Sequence, residues 1–229
     1  MAEPLLAWRG LKLPLPGREP FCPPDFSLSN GQSALCLYPD GTALKRLILA
    51  ILGLTEQAEA QGEIFFRGQA LGKNWNYYQR LDFFRRIGWL SSDKKLLSNL
   101  TLAQNICFEL EYNQGLTAQQ SLTISRERLE ELGLERLATL DWPSLVGAER
   151  WQALAAFITC RRPDLFIIER PLWLLKEKFF KSWWLVLARE LKDFGRGLLA
   201  FDRGSNGYPE GSFELIVDLN LKSSPKRSK

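Results

Sequence analysis

Histidine does not occur once in the 229 residues. Its absence excludes imidazole general acid/base chemistry, nucleophile triads that depend on histidine, and histidine metal ligands. Cysteine is sparse: Cys22, Cys36, Cys107 and Cys160 lie far apart and form no C-x-x-C pair, so neither a zinc site nor a disulfide framework is indicated. Free thiols fit a reducing cytoplasm. The N-terminal "MAEPLLAWRG" has no basic segment leading into an apolar one, which argues against a signal peptide. Long apolar runs are missing as well; "LILAILGL" and "WWLVLA" are far too short to span a bilayer. There is no internal repeat and no linker-like segment, so residues 1–229 read as a single domain.

Charge of one sign is also scarce. The net +4 sits largely in the tail "KSSPKRSK", Lys222–Lys229, and the rest is nearly neutral. That tail reads as a solvated, disordered end, and no nucleic-acid partner is expected. What the chain does have is an ordinary globular balance, 45% hydrophobic and 24% charged residues, which is incompatible with extensive disorder. Eight Trp and fourteen Phe are many for this length; they belong to a heavily packed core or to a sticky face that a partner covers.

Along the chain, periodicity switches between two and 3.6, the pattern of a mixed α/β domain around a partly parallel sheet. Leu5–Leu13 reads as a strand, "PLPGREPFCPP" as a Pro-rich loop, and "DFSLSNGQSALCL" as two strands around an Asn-Gly hairpin turn. A helix is expected from about Thr42 to Gly53, a short strand in "GEIFFRGQAL", a helix in "NWNYYQRLDFFRRI" and a strand at "GWLSS". Helical character then runs from Asn99 to Arg150, with Gly133 ending the helix "SRERLEELGL", and continues through residues 151–162. "DLFIIE" and "RGLLAFD" have the continuous apolar character of strands buried on both faces; the helix "FKSWWLVLARELKDFG" lies between them, closed by Gly195. "SFELIVDLNL" alternates like an edge strand.

The stretch "LCLYPDGTALKRLILAILGL" from Leu35 has the layout of a phosphate-binding loop, a strand, a Pro/Gly turn and a helix. The chemistry of G-x-x-x-x-G-K-[ST] is missing, since Tyr38, Ala43, Leu44 and Lys45 stand at its defining positions.

The order of segments, together with "PSLVGAERWQALAAFITCRRPDLFIIERP", resembles the ATPase subunit of ATP-binding cassette (ABC) transporters over nearly the whole chain. Pro143, Leu145, Gly147, Glu149, Arg150, Arg162, Pro163, Leu165 and Pro171 fit that family's signature helix and its run into Walker B. "IGWLSSDKKLLSNLTLAQNICFEL", with the helical lead "QGLTAQQSLTISRERLEELGL", is similar within the family to the Mla/MCE lipid-transport ATPases. The resemblance implies a P-loop NTPase fold with a RecA-like core, an antiparallel β subdomain and a helical subdomain at about 92–160. It also implies a dimer of ATPase subunits seated on a membrane permease at the inner face of the cell membrane.

Where the resemblance breaks, it does so at reactive positions. Leu44 replaces the Walker A lysine, and Lys45 comes one residue late, about 100° around the helix. Lys45 or Arg46 falls at the place of the Mg²⁺-binding hydroxyl. Ser92 replaces the sensing glutamine, Val146 the signature serine, Ala148 its second glycine, Arg170 the general-base glutamate and Phe201 the switch histidine. Glu169 replaces the Walker B aspartate, and "LWLLKE" has lost the D-loop pattern. Phosphoryl transfer rests on positioning and compensating charge, so these losses point to a degenerate subunit with no catalytic residue, no metal ligand and no expected cofactor.

Gly41, Lys45 and Arg46 remain as a vestigial Walker A, Gly147 and Glu149 as a vestigial signature, and Glu169 as a vestigial Walker B. Either Lys45 and Arg46 retain weak anion binding, leaving ATP and Mg²⁺ as residual ligands, or the turn is a plain strand-to-helix connection. Glu169 is either a remnant metal position or an acid paired with a neighbouring base such as Arg170 or Lys45. The greater apolarity of Leu44, Val146 and Phe201 suggests a site closed over by side chains. Ser92, Leu96, Leu97 and Leu100 are either a docking surface for the permease or internal packing of the helical part. The alternatives to a transporter pseudo-ATPase are an active ATPase using Glu169, Asp202 or Glu149 as base, and a regulatory or scaffolding protein outside transport.

Overall fold

Strand β1 (Leu6–Leu15) is the hub of an antiparallel sheet, pairing with β2 (Arg18–Phe21), β3 (Phe26–Leu28) and β5 (Gln61–Phe66), with β6 (Gln69–Ala70) beyond β5. This is a computed structural model in which residues 3–38, 40–54, 60–71, 75–171 and 177–219 are described. The chain clusters into two units, Met1–Phe84 with Leu191–Lys229, and Arg85–Glu190. The basic tail and the "LWLL" segment fall outside the described residues.

In the first unit, Trp8 is fully buried, stacks on Phe26 at 4.3 Å and donates its indole N–H to the Pro24 carbonyl at 2.8 Å. Opposite the bulge in β1, Gly62 has φ +97°, and a Cβ there would lie 2.6 Å from the Gly10 carbonyl oxygen; only glycine fits so close a crossing. Part of the stretch read as a Pro-rich loop is strand β2, which tolerates Pro20 because it lies at the sheet edge.

A parallel arrangement follows: β4 (Ser33–Leu37) lies between β9 (Gly197–Asp202) and β10 (Leu215–Asp218). Ala34, Leu35, Cys36, Leu198, Leu199, Ala200 and Phe201 are fully buried, as continuous apolar runs in parallel strands require. The Asn30-Gly31 turn exists, but the expected hairpin does not. β3 joins β1 in the antiparallel sheet and β4 enters the parallel one, so the turn hands the chain from one sheet to another. Helix α1 (Gly41–Ile51) buries Ala43, Leu44, Leu47, Ile48, Ala50 and Ile51, a stripe at helical spacing. α2 (Tyr77–Arg85) buries Phe83 edge-on against Phe66 and Trp75.

In the second unit, β7 (Ile87–Leu90) runs parallel to β8 (Leu165–Glu169), and a Cβ on Gly88 would lie 2.6 Å from Pro163 Cγ, which fixes glycine there. Helices α3 (Leu102–Gln114) and α4 (Ala118–Glu131) each start with a capping box, Thr101 with Gln104 and Thr117 with Gln120. Gly115 and Gly133 take left-handed conformations directly after them, which stops each helix. α5 (Ala148–Cys160) packs on α3 and α4. In α6 (Glu177–Phe194), Trp183 is fully buried and its indole donates to Thr159 Oγ1 on α5 at 2.9 Å. Arg128 on α4 and Glu190 on α6 form a buried ion pair at 3.0 Å.

The aromatic residues divide: Trp8, Trp183, Phe26, Phe66, Phe83, Phe166, Phe179, Phe180 and Phe201 are buried, while Tyr77, Tyr78, Phe108, Tyr112 and Phe194 stand exposed. All four cysteines are free thiols. Among the described residues, no helix is long and apolar enough to cross a membrane.

Candidate functional site

In the first unit only residues 38–40 separate the end of β4 from the start of α1. Tyr38 is buried, and its N–H donates to the Asp202 carbonyl at 3.2 Å. Asp40 is the N-cap of α1. Its extended backbone turns the carboxylate back, so that one oxygen accepts from the N–H groups of Thr42 at 2.8 Å and Ala43 at 2.9 Å. The second oxygen faces Arg18 at 3.5 Å. The Ala43 N–H, with Thr42 and the Arg18 charge assisting, holds this carboxyl below its ordinary pKa against the opposing effect of desolvation. A helix N-terminus attracts a phosphate with unsatisfied N–H groups and the positive end of the dipole. Here a carboxylate of the same chain already takes both.

The remaining Walker A positions follow from the helix. Leu44, expected at the lysine position, is 4% exposed because it belongs to the buried stripe of α1, so its side chain points into the core. Lys45 is exposed, Arg46 is half-buried and Gly41 is exposed. Phe201 is fully buried at the end of β9. Asp202 beside it accepts from the Tyr208 hydroxyl and from the Arg203 N–H, both at 2.7 Å.

In the second unit, Glu169 at the end of β8 accepts the Trp89 indole N–H at 2.7 Å. The Glu169 carboxylate thus meets an indole on the adjacent strand β7, two residues along on the same face, and the Arg170 charge also favours its ionised form, to a smaller degree than the hydrogen bonds. Desolvation raises the Glu169 pKa above its ordinary value; the Trp89 and Ser91 hydrogen bonds oppose this without overcoming it, and Asp93 adds to it. Arg170, at the base position, has a left-handed backbone with φ 47°, unusual for a residue with a side chain.

At the signature, Gly147 has φ 52° and precedes α5 without a side-chain cap of its own. Glu149 reaches back, accepting the Val146 N–H at 3.2 Å and pairing with Arg136 at 2.6 Å. Arg136 first and the Val146 N–H second hold the Glu149 pKa low. Val146 is 66% exposed, so the idea of a site closed by apolar side chains survives at Leu44 and Phe201 and fails at the signature.

The candidate docking residues also separate. Ser92 is exposed, Leu96 is 8% exposed and so part of the interior, Leu97 is 49% exposed and Leu100 is intermediate. Asn105, itself buried, accepts from the Leu97 N–H at 2.9 Å and donates to the carbonyls of Leu97, Leu100 and Thr101 at 3.0–3.1 Å.

Sequence reasoning missed Asp40, Trp89, Arg136 and Asn105. Only Asp40 had a readable signal, an N-cap residue type placed between a strand and an apolar-periodic helix. Among the described residues no cluster of three or more carboxylate or thiol groups is gathered as a metal site. The three acids available to an atypical ATPase, Glu169, Asp202 and Glu149, are each engaged by a neighbour.

The fold is that of the ATP-binding cassette ATPases, a P-loop NTPase fold. The dimeric MJ0796 bacterial ABC transporter cassette superposes with a TM-score of 0.79 over 97% of this chain and 98% of its own, at 15% identity. The relatives found by sequence include ATP-binding proteins of sulfate/thiosulfate import, cell division and lipoprotein release. The sulfate/thiosulfate import ATP-binding protein CysA of Caulobacter vibrioides is 28% identical over 171 residues, 73% of this chain and 47% of that protein. The lipoprotein-releasing system ATP-binding protein LolD of Francisella tularensis is 22% identical over 206 residues, 86% of this chain and 88% of that one. The chain thus spans about half the length of the sulfate-import relatives it matches. No protein-family model matches it.

Proposed function

We propose that this chain is a cassette subunit of an ABC transporter that has given up ATP binding and hydrolysis and acts as half of a dimer and as a docking platform for a membrane permease. The observation that carries the reading is the Asp40 carboxylate on the first N–H groups of α1. A triphosphate would have to displace it, and would then meet a buried leucine where a lysine is needed. The cost of holding a polyanion without counter-charge is several kcal/mol, enough to remove useful affinity. Arg170 cannot accept a proton from water, and Glu169 is occupied by Trp89.

The subunit would reside in the cytoplasm, held at the membrane through its permease, with Leu97 as an outward apolar group of the docking segment. The mate is a second copy or another cassette subunit. Likeness to LolD across almost the full length of both chains supports a cargo of lipid or lipoprotein character.

Isothermal calorimetry with MgATP, alongside a phosphate-release assay on the purified full chain, tests the loss of nucleotide function. No binding below millimolar concentration and no release above background are expected. Sub-millimolar Mg²⁺-dependent binding would overturn the reading.

A further inference from the structure

The loop that follows β7, Ser91–Leu100, is fixed at both ends by groups of this chain alone. At its start, the Trp89 indole donates to Glu169 at 2.7 Å. Lys94 lies with its Nζ 4.3 Å from the centre of the Trp89 ring, so the loop folds back over the indole that holds Glu169. Ser91 tightens this turn: its carbonyl accepts from the Lys94 N–H at 3.2 Å and its hydroxyl oxygen from the Asp93 N–H at 3.3 Å. At the far end, Asn105 uses both ends of its buried amide on Leu97, Leu100 and Thr101.

A buried, fully used amide is expensive to leave unpaired, so each hydrogen bond supports the others. An indole donating to a carboxylate is a charge-assisted bond, among the stronger kinds available to a side chain. Between the two ends, Leu97 stands out while Leu96 is packed inward.

We infer that Trp89 with Lys94 on Glu169, and Asn105 on Leu97 and Leu100, are positioning residues that hold the 91–100 loop in one conformation, so that its partner-facing residues are presented whether or not nucleotide is near. The inference rests on the platform reading above and says how the platform is kept in shape. Glu169 then serves as the anchor for the loop's own indole. The state of the loop is set by a contact internal to the unit, and a ligand with no differential affinity for two loop states shifts nothing.

The test is hydrogen–deuterium exchange on the full chain, followed in peptides covering 91–100, with α4 peptides as internal reference and calorimetry run on the same samples. Millimolar MgATP is expected to leave loop exchange unchanged. Trp89→Phe, which keeps a ring under Lys94 but removes the donor, should speed exchange at Asp93 and Lys94 about tenfold. Lys94→Met, a change on the loop that does not threaten folding, should speed it about threefold. Glu169→Gln, which retains an acceptor for the indole, should keep near-native protection, whereas a merely structural role would make the three variants alike.

A loop indifferent to both Trp89→Phe and Lys94→Met, or one whose wild-type protection shifts with MgATP, overturns the inference. Nucleotide binding by calorimetry with an unmoved loop would sink the loss of ATP binding and leave the positioning residues standing. An indifferent loop without nucleotide binding would do the reverse.

Discussion

Asp40 and Glu169 are both carboxylates at the ends of elements, and they respond to acid in opposite ways. Asp40 is held below its ordinary 3.8 by backbone N–H groups, so the folded state carries fewer protons there than the unfolded chain. Its contribution is complete above that value and is lost as pH falls through the lowered one. Asp40→Ala should therefore lower stability by about 1 kcal/mol at neutral pH, the usual cost of a lost N-cap. Urea midpoints should show the gap to wild type closing below about pH 4, while Asp40→Asn, itself a good cap, stays close to wild type. Glu169 is raised above its ordinary 4.5 by desolvation, so the folded state binds the extra proton and stability falls as pH rises through the raised value. Glu169→Gln should be at least as stable as wild type at pH 7, and its advantage should vanish as pH approaches 4.5. A clear loss of stability in Glu169→Gln at pH 7 would contradict the assigned cause of the shift.

Among elements, the packing of α4 on α6 depends on a pair of charges that the core has taken in. Arg128 and Glu190 are 6% and 1% exposed at their side chains, and Arg128 also pairs with Glu131 at 2.9 Å. Removing one partner leaves the other charged and dry, so Arg128→Ala should cost about 3–5 kcal/mol in chemical denaturation. The double change Arg128→Met with Glu190→Leu should recover most of that loss, because two apolar side chains of similar volume need no solvation. Elements such as these were partly legible in advance. The strands Leu165–Glu169 and Gly197–Asp202 announce themselves as continuous apolar runs, and the stops at Gly133 and Gly195 follow from the left-handed backbone after a helix. The Asn-Gly turn misled on pairing, because a local turn signal fixes the reversal of the chain and says nothing about which sheet each flanking strand will join.

For the whole molecule, the ability to fold and the ability to dock are separable. Leu97→Glu alters a residue 49% exposed, so stability should stay within about 0.5 kcal/mol of wild type. Co-purification of the membrane subunit from the native host in mild detergent should nevertheless be lost, and its retention would move the docking surface elsewhere. The sequence by itself determined the α/β order of elements and the cassette resemblance, and through that resemblance the expectation that a lysine, a base and a histidine are missing from the reactive positions, because residue identity and periodicity are properties of the linear chain. Tertiary structure alone decided that Asp40 turns back onto its own helix, that Trp89 reaches Glu169 from the neighbouring strand, that Val146 faces solvent and that Leu96 does not. Each of those depends on where a side chain points once a strand register or helix phase has been set by packing, and a one-residue change in either would send it to another face.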